Sequence, residues 1–217
     1  AQADVPLVGK TVLLMPVYNE DPVCACAALA AMAEELAQLD LADNFEIFIL
    51  SDSNREELFA SEEVTTQALR DQLADIMPVW YRRRERNTAR KAGNIRDFVC
   101  RWGDRYDYMV VLDADSLIAG QTLGNLVREM DADPQVGIVQ TLPQLYAGET
   151  LYARIQQFAS LAYGSIFARG LNAWQGHDGN YWGHNAIIRV QAMAESPGLP
   201  NMPGPRPFGG EIRSHDF

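Results

Sequence analysis

The sequence has little of what marks several protein classes. It has three cysteines in 217 residues, an odd number without paired spacing, so no disulfide framework is predicted and a reducing compartment is favoured. No apolar run reaches the roughly 18 residues of a membrane span, and the start of the chain lacks the apolar segment of a signal peptide. The net charge of −11 argues against general nucleic-acid binding, because an acidic surface repels phosphates.

Glycine-rich phosphate loops are missing as well. The first apolar run ends in Pro16-Val17-Tyr18-Asn19-Glu20, where a dinucleotide-binding domain would carry G-x-G-x-x-G and a P-loop protein would carry G-x-x-x-x-G-K-[ST]. The backbone of such a stiff turn does not cradle phosphates. A base or a ribose could instead pack on the turn, with Glu20 and Asp52 as the candidate side chains that recognise it.

What the sequence does contain is an alternation of strand-like and helix-like segments. TVLLMPV, FEIFILS and YMVVL are short apolar runs typical of buried strands, and helical patterns separate them. The alternation predicts an α/β fold, with a Rossmann-like, mostly parallel sheet flanked by helices, in a single domain over residues 1–217. Between residues 151 and 169, apolar residues recur at helical spacing, which predicts an amphipathic helix that packs in the core. These residues are Leu151, Ile155, Phe158, Ala162 and Ile166.

Polar clusters follow three of the predicted strands. They are Tyr18-Asn19-Glu20, Ser51-Asp52-Ser53 and Asp113-Ala114-Asp115. Ligands of an open α/β sheet bind at the carboxyl ends of the strands, so the three clusters are expected at one rim. A single acidic residue at such a place usually caps the next helix, but carboxylates gathered from three strands repel one another unless a positive group lies between them. The spacing alone leaves both turns and a ligand site open.

Asp113 and Asp115 are the candidate metal ligands. Two carboxylates separated by one residue suit a hard divalent cation that keeps several waters and also binds substrate phosphates, although a lone D-x-D is common by chance. The basic run from Arg82 to Lys91 is predicted to be mostly a solvated face. Lys91 is the exception, because near a helix N-terminus it can direct a positive charge at a diphosphate.

As a set, the motifs resemble those of family 2 glycosyltransferases. The matching segments, in the family's order, are PVYNE (16–20), SDS (51–53), KAGN (91–94), LDAD (112–115), VQT (139–141), YWGHNAIIR (181–189) and SHDF (214–217). More narrowly, the chain is similar to the bacterial members that make osmoregulated periplasmic glucans. The resemblance implies a GT-A fold and an inverting transfer of glucose from UDP-glucose to a growing β-glucan. It also implies Mg²⁺ or Mn²⁺ as cofactor and a location on the cytoplasmic face of the inner membrane.

The resemblance further implies roles for individual residues. The donor-binding residues are Tyr18, Glu20, Asp52, Lys91, Asp113 and Asp115, of which Asp113 and Asp115 hold the metal and Asp52 contacts uracil. The acceptor-binding residues are Tyr181, Trp182, Gly183, His184 and Asn185. Asp216 falls at the position of the catalytic base, with His215 beside it in a positional role.

Two departures from the family qualify these expectations. Only Phe217 follows Asp216, where processive members continue into a Gln-x-x-Arg-Trp type of motif, and the family's membrane helices are absent. We therefore expect a soluble fragment of a larger membrane protein, in which donor binding persists better than full activity. Two other functions stay open: a sugar-nucleotide pyrophosphorylase, which should carry a glycine-rich loop in place of PVYNE, and a non-catalytic domain that senses UDP-sugar, against which Asp216 argues.

Overall fold

The computed structural model describes residues 5–176, 179, 181–195 and 203–204. The predicted base Asp216 and its neighbour His215 lie outside the described residues. The helices and strands, in chain order, are β1 (Thr11–Val17), α1 (Pro22–Gln38), β2 (Phe45–Ser51), α2 (Glu56–Gln72), β3 (Val79–Arg83), α3 (Arg90–Trp102), β4 (Tyr108–Val111), α4 (Gly120–Ala132), β5 (Ile138–Gln140), α5 (Leu151–Gln175), β6 (Ala186–Arg189) and α6 (Val190–Glu195). Two short 3₁₀ turns, Ala42–Asn44 and Gly103–Arg105, complete the described secondary structure.

The strands form one mixed six-stranded sheet in the order β3-β2-β1-β4-β6-β5. The strands β1, β2, β3 and β4 pair in parallel, and β6 runs antiparallel to both β4 and β5. Parallel strands are covered by helices on both faces and therefore need near-continuous apolar sequence, and every residue of β2 and β4 is indeed buried. The predicted α/β class with a mostly parallel, helix-flanked sheet is confirmed.

The core has two halves, one on each face of the sheet. Successive side chains of a strand point to opposite faces, so Leu13 and Met15 of β1 pack on the side of α1 and α4, whereas Val12 and Leu14 pack on the side of α3. All four are fully buried. Because both faces are filled with helices, the open part of the sheet is its rim, where the strands end.

The helix α1 shows how the sequence marks the start of an element at this rim. Asp21 caps it by accepting a hydrogen bond of 2.9 Å from the backbone N–H of Val23, and Pro22 occupies the first helical position, where no backbone N–H is required. The turn between β1 and α1 is thereby fixed directly beside the end of β1.

The helix α5 contradicts the expectation of a core helix. It is longer than predicted, with 25 residues, and none of them is buried. The periodicity identified a helix correctly but did not reveal which side of it is covered. Among the described residues, no helix combines the length and apolar content that crossing a bilayer requires.

Candidate functional site

The turn after β1 is joined to the turn after β2 through Asn19. Its backbone N–H donates to the Ser53 hydroxyl at 2.8 Å, and its side-chain oxygen accepts from the backbone N–H groups of Asn54 and Arg55, both at 3.2 Å. Asn19 has a positive φ of 58°, a left-handed conformation that asparagine tolerates better than most residues. These bonds hold the flanking residues Tyr18 and Glu20 at the rim, where both side chains are exposed.

A buried carboxylate that the sequence did not single out supports this turn. Glu62 of α2 is 2% exposed and accepts a hydrogen bond of 2.5 Å from the Ser53 hydroxyl and one of 3.0 Å from the Tyr81 hydroxyl. Burial, followed by the charge of Glu62, raises the pKa of the Tyr81 phenol, so Tyr81 stays a donor at neutral pH. Glu62 therefore positions Ser53, and Ser53 positions Asn19.

Replacing Glu62 by leucine tests this support. The hydroxyls of Ser53 and Tyr81 would lose their shared acceptor, which should lower the free energy of unfolding by about 1–3 kcal/mol. If the turn holds the nucleotide, the affinity for UDP should fall as well. Urea denaturation and calorimetric titration with UDP measure the two effects. Glu63→Leu, at the exposed neighbouring position, is the matched control, and equal effects from both variants would contradict the role of Glu62.

Asp52, the predicted uracil contact, lies at the end of β2 and is engaged by Arg84. The guanidinium donates from Nε to Oδ1 and from Nη2 to Oδ2, both at 2.6 Å, and the Asp52 side chain is 4% exposed. Arg84 also donates to the backbone carbonyls of Thr88 and Arg90, which fixes the loop before α3. A carboxylate oxygen can accept more than one hydrogen bond. The pairing with Arg84 is therefore compatible with a contact between Asp52 and uracil, and that contact stays a prediction.

The prediction that the basic run is mostly a solvated face is wrong. Besides Arg84, Arg82 is directed inward: it donates to the side-chain oxygen of Asn94 at 2.6 Å and lies 3.2 Å from a carboxylate oxygen of Asp97. Burial lowers the pKa of the Arg82 guanidinium, and the carboxylate of Asp97 opposes that change. Two of the arginines therefore fasten β3 and the following loop to their surroundings.

The start of α3 brings Lys91 to the end of β4. Ala89 and Arg90 both have positive φ, of 55° and 50°, and Gly93 approaches the preceding chain so closely that a Cβ there would lie 2.1 Å from the Thr88 carbonyl oxygen. The tight entry directs the Lys91 ammonium onto a carboxylate oxygen of Asp113, with which it forms an ion pair.

The same ammonium also donates to the carbonyl oxygen of Gly183 at 3.0 Å. Lys91 therefore joins the predicted donor-binding Asp113 to the predicted acceptor-binding segment. His184 lies on the other side of Asp113, with 3.9 Å between its Nε2 and Oδ2. Its Nδ1 is buried and has no hydrogen-bond partner among the described residues.

The segment from Tyr181 to Asn185 is held beside β4 by the VQT motif. The side chain of Gln140 accepts from the Trp182 N–H at 3.0 Å and donates to the His184 carbonyl at 3.0 Å, and the Thr141 hydroxyl donates to the Asn185 carbonyl at 2.5 Å. All five residues of the segment are buried or half-buried. The segment is therefore part of the rim and not a free loop.

Glu20 and the two aspartates follow the ends of β1 and β4, which are adjacent parallel strands and so end at the same rim. Partial burial raises the pKa of the Glu20 carboxyl; a backbone hydrogen bond at Tyr18 opposes this, the charges of Asp113 and Asp115 raise the pKa further, and Lys91 lowers it. Like charges nearby make ionisation of a carboxyl less favourable. The predicted donor-site residues from three strand ends are therefore brought to one rim.

The chemistry of the two aspartates fits a divalent cation that also binds substrate. Asp113 is half-buried and Asp115 is exposed, so their oxygens are accessible at the rim. Within the described ranges, no group of three or more His, Cys, Asp and Glu side chains is arranged to hold a metal ion. Mg²⁺ commonly uses one or two carboxylates together with waters and substrate phosphates, which is the donor set that Asp113 and Asp115 offer.

Comparison with known proteins identifies the family of the chain. The sequence profile described as Glycosyl transferase family 2 matches residues 12–196. Glucans biosynthesis glucosyltransferase H of Shewanella oneidensis is 48% identical over 215 residues, which are 99% of this chain and 30% of that protein. The protein of the same name from Xanthomonas oryzae pv. oryzae is 48% identical over 209 residues, with 96% and 32% covered. The chain therefore spans about a third or less of the length of these curated relatives.

Solved structures with a similar arrangement are more distant. Glucosyl-3-phosphoglycerate synthase from Mycobacterium tuberculosis, in complex with Mn²⁺, UDP and glucosyl-3-phosphoglycerate, has a TM-score of 0.47 and 13% identity, covering 84% of this chain and 57% of that chain. S. aureus TarS 1–349 has a TM-score of 0.46 and 14% identity, covering 83% and 47%. The profile match confirms the resemblance inferred from the motifs, together with the GT-A type of α/β fold that it implied. The chain belongs to glycosyltransferase family 2.

Proposed function

We propose that the chain is the catalytic domain of an inverting glucosyltransferase that transfers glucose from UDP-glucose to a growing β-glucan. The observation that carries the proposal is the contact of one ammonium group, that of Lys91, with both Asp113 and the Gly183 carbonyl. It joins the residues proposed for the donor to the segment proposed for the acceptor. The relatives' name, a glucosyltransferase of glucan biosynthesis, supports the sugar and the product.

On the donor side, different residues of the rim would contact different parts of the nucleotide. Tyr18 and Glu20 would contact the uridine and Asp52 the uracil. Asp113 and Asp115 would hold Mg²⁺ or Mn²⁺, which when bound neutralises negative charge on the departing diphosphate. Lys91 would add a positive charge near the N-terminus of α3, a place that favours anions.

On the acceptor side, the segment from Tyr181 to Asn185 would hold the end of the glucan next to the donor. The acceptor hydroxyl oxygen attacks the anomeric carbon of glucose while the bond from that carbon to the UDP oxygen breaks. UDP leaves with the bonding electrons, and Asp216 takes the proton of the attacking hydroxyl as general base. One displacement inverts the anomeric configuration and needs no covalent nucleophile.

The context of the domain belongs to the same proposal. Residues 1–217 would form a single GT-A domain of a longer protein of the bacterial inner membrane, with its site on the cytoplasmic face. The relatives support this arrangement because they are about three times as long as the matched region. The family match also favours transfer over a sugar-nucleotide pyrophosphorylase.

Calorimetric titration tests the donor site without requiring turnover. UDP should bind in the presence of Mg²⁺ or Mn²⁺, more weakly without the metal and more tightly than GDP. The Asp113→Ala/Asp115→Ala variant should lose the dependence on metal. Binding that ignores both the metal and the base would remove these residues from the donor site.

A second variant separates a transferase from a domain that only senses UDP-sugar. Asp216→Asn should retain UDP binding in the titration above. When it is introduced into the complete glucan-synthesising protein, it should abolish glucan synthesis. Synthesis at the unchanged rate would contradict the role of Asp216 as base.

A further inference from the structure

A polar residue lies in the middle of the buried face of α3. Within this helix, which is described over its full length, the buried residues are Asn94, Ile95 and Phe98, and Asn94 is 1% exposed. Burying a side-chain amide is unfavourable unless its groups find hydrogen-bond partners, so an apolar residue would be the ordinary choice at this position. The distinguishing feature of Asn94 is therefore the set of bonds that it makes.

These bonds join α3 to the carboxyl ends of two strands. The side-chain nitrogen of Asn94 donates to the Leu50 carbonyl of β2 at 2.9 Å, and its side-chain oxygen accepts from Arg82 of β3 at 2.6 Å. Arg82 also donates to the backbone carbonyl of Asn94 at 3.2 Å. Apolar contacts have no preferred direction, whereas hydrogen bonds weaken steeply when they are misaligned. The bonds of Asn94 therefore fix the rotation of α3 about its own axis.

The start of α3 needs such support because it lacks a cap. No side chain forms a capping hydrogen bond there, and the two residues that lead into the helix, Ala89 and Arg90, have positive φ. That conformation is unfavourable for residues other than glycine and persists only where the surroundings hold it. Arg84 holds the loop side through the Arg90 carbonyl. Asn94, about one turn further along, holds the helix side.

Lys91 shares the inward side of α3 with Asn94. Residues three apart are neighbours on one face of a helix, separated by a rise of roughly 4.5 Å. The Lys91 side chain is 19% exposed, and its ammonium contacts both Asp113 and the Gly183 carbonyl. Rotation of the helix would carry the ammonium away from both partners. The bonds of Asn94 oppose that rotation.

We propose that Asn94 is a positioning residue that holds the Lys91 ammonium between Asp113 and the Gly183 carbonyl. It acts through the orientation of α3, and its own bonds go to Leu50 and Arg82. The placement of Lys91 follows from these contacts alone. Its consequence for UDP rests on the proposed function, in which the same ammonium adds a positive charge near the diphosphate.

The placement can be measured directly because the chain has two lysines, Lys10 and Lys91. Protein labelled with ¹³C at the lysine Cε should give one NMR signal for each, and Lys10→Met assigns them. Asp113→Asn gives the position of the Lys91 signal without its ion pair. Asn94→Leu keeps the approximate size of the side chain but removes its directional bonds. It should move the Lys91 signal most of the way to that position and leave the Lys10 signal in place.

Two further variants separate placement from general loosening of α3. Arg82→Gln removes the guanidinium that donates to Asn94 and should move the Lys91 signal in the same direction, so it also serves if Asn94→Leu does not fold. Asp97→Asn is the matched control. It weakens the ion pairs of Asp97 with Arg82 and Arg101 but leaves the bonds of Asn94, and the Lys91 signal should not move. Urea denaturation measures the stability of each variant.

A double-mutant cycle connects the placement to UDP. Asn94→Leu should lower the affinity for UDP by up to about tenfold, the loss expected when the charge of Lys91 is removed from the diphosphate. In the Lys91→Met background the same substitution should have no further effect, because the group that it positions is gone. Calorimetric titration at fixed Mg²⁺ measures both. A purely structural role would lower the affinity equally in the two backgrounds.

The outcomes separate this proposal from the proposed function. A Lys91 signal that stays in place in both Asn94→Leu and Arg82→Gln would overturn it, as would an equal shift in Asp97→Asn or an equal loss of UDP affinity in the two backgrounds. A shifted Lys91 signal with unchanged affinity for UDP would support the placement and contradict the role of Lys91 at the diphosphate.

Discussion

Replacing Asp113 by asparagine should weaken Mg²⁺-dependent binding of UDP by more than about a hundredfold. Loss of a group that only supports a metal ligand typically costs tenfold to a hundredfold in metal affinity, and loss of a ligand costs more. The substitution keeps the size of the side chain but removes the charge that the Lys91 ammonium contacts. Calorimetric titration of UDP at fixed Mg²⁺, and of Mn²⁺ with and without UDP, measures the loss.

Lys91→Met separates the two partners of this ion pair. Removing the ammonium frees Asp113 from its internal counter-ion, so the affinity for Mn²⁺ alone should rise, whereas the affinity for UDP should fall about tenfold because a charge near the diphosphate is lost. The changes therefore have opposite signs. A role of Lys91 in folding alone would lower both affinities together.

Lys10 provides the control, since it is the only other lysine of the chain. It lies before β1, at the opposite end of that strand from the site, and pairs with Glu46 at 2.5 Å. Lys10→Met removes the same charge and should change neither affinity. If Lys91→Met left Mn²⁺ binding unaltered, the ammonium would not compete with metal for Asp113.

The second large effect concerns the ion pair of Asp52 and Arg84. Arg84→Met would leave the Asp52 carboxylate buried without its two hydrogen bonds of 2.6 Å. Breaking a buried pair from one side typically costs about 3–5 kcal/mol, and we expect a loss of that order in the free energy of unfolding. Urea denaturation with linear extrapolation measures it.

Two further variants decide how that loss arises. Arg83→Met, one residue earlier, removes a guanidinium that lies 4.1 Å from the centre of the Phe59 ring and should cost about 1 kcal/mol. Asp52→Asn/Arg84→Met should recover part of the stability of Arg84→Met, because no uncompensated charge then stays buried. If Arg84→Met were as stable as Arg83→Met, the ion pair of Asp52 and Arg84 would not be what fastens the end of β2 to the loop before α3.

The sequence was informative where a single physical rule decides the outcome. Near-continuous apolar runs predict buried parallel strands, and the polar residues after them must then lie at one rim. By that rule Glu20 and Asp113 should lie at the same rim, and β1 and β4, which precede them, are adjacent parallel strands. Their roles in catalysis stay predictions, as does the role of Asp216, which lies outside the described residues.

The rest depended on partners that local patterns do not specify. Glu62 is one of several acidic residues in α2, and its neighbours in sequence do not reveal that Ser53 and Tyr81 converge on it. Arg84 looks like part of a solvated run because its partner Asp52 lies on another strand. The spacing of the apolar residues in α5 predicted a helix correctly. The same spacing does not indicate whether those residues face the core or the outside.

In the proposed mechanism, the antiparallel pairing of β6 with β4 has a consequence for which acceptors fit the domain. Ala186 pairs with Val111, and the Asn185 N–H donates to the Val111 carbonyl at 2.7 Å. The register of β6 against β4 therefore sets the distance between His184, just before β6, and Asp113, just after β4. A slip of one residue would displace His184 by about 3.4 Å and turn successive side chains to the opposite face. In the proposed mechanism, the sheet register would therefore fix the distance between the leaving group and the incoming sugar. Acceptors of a different size would then require a change in sheet pairing, which loop substitutions do not provide.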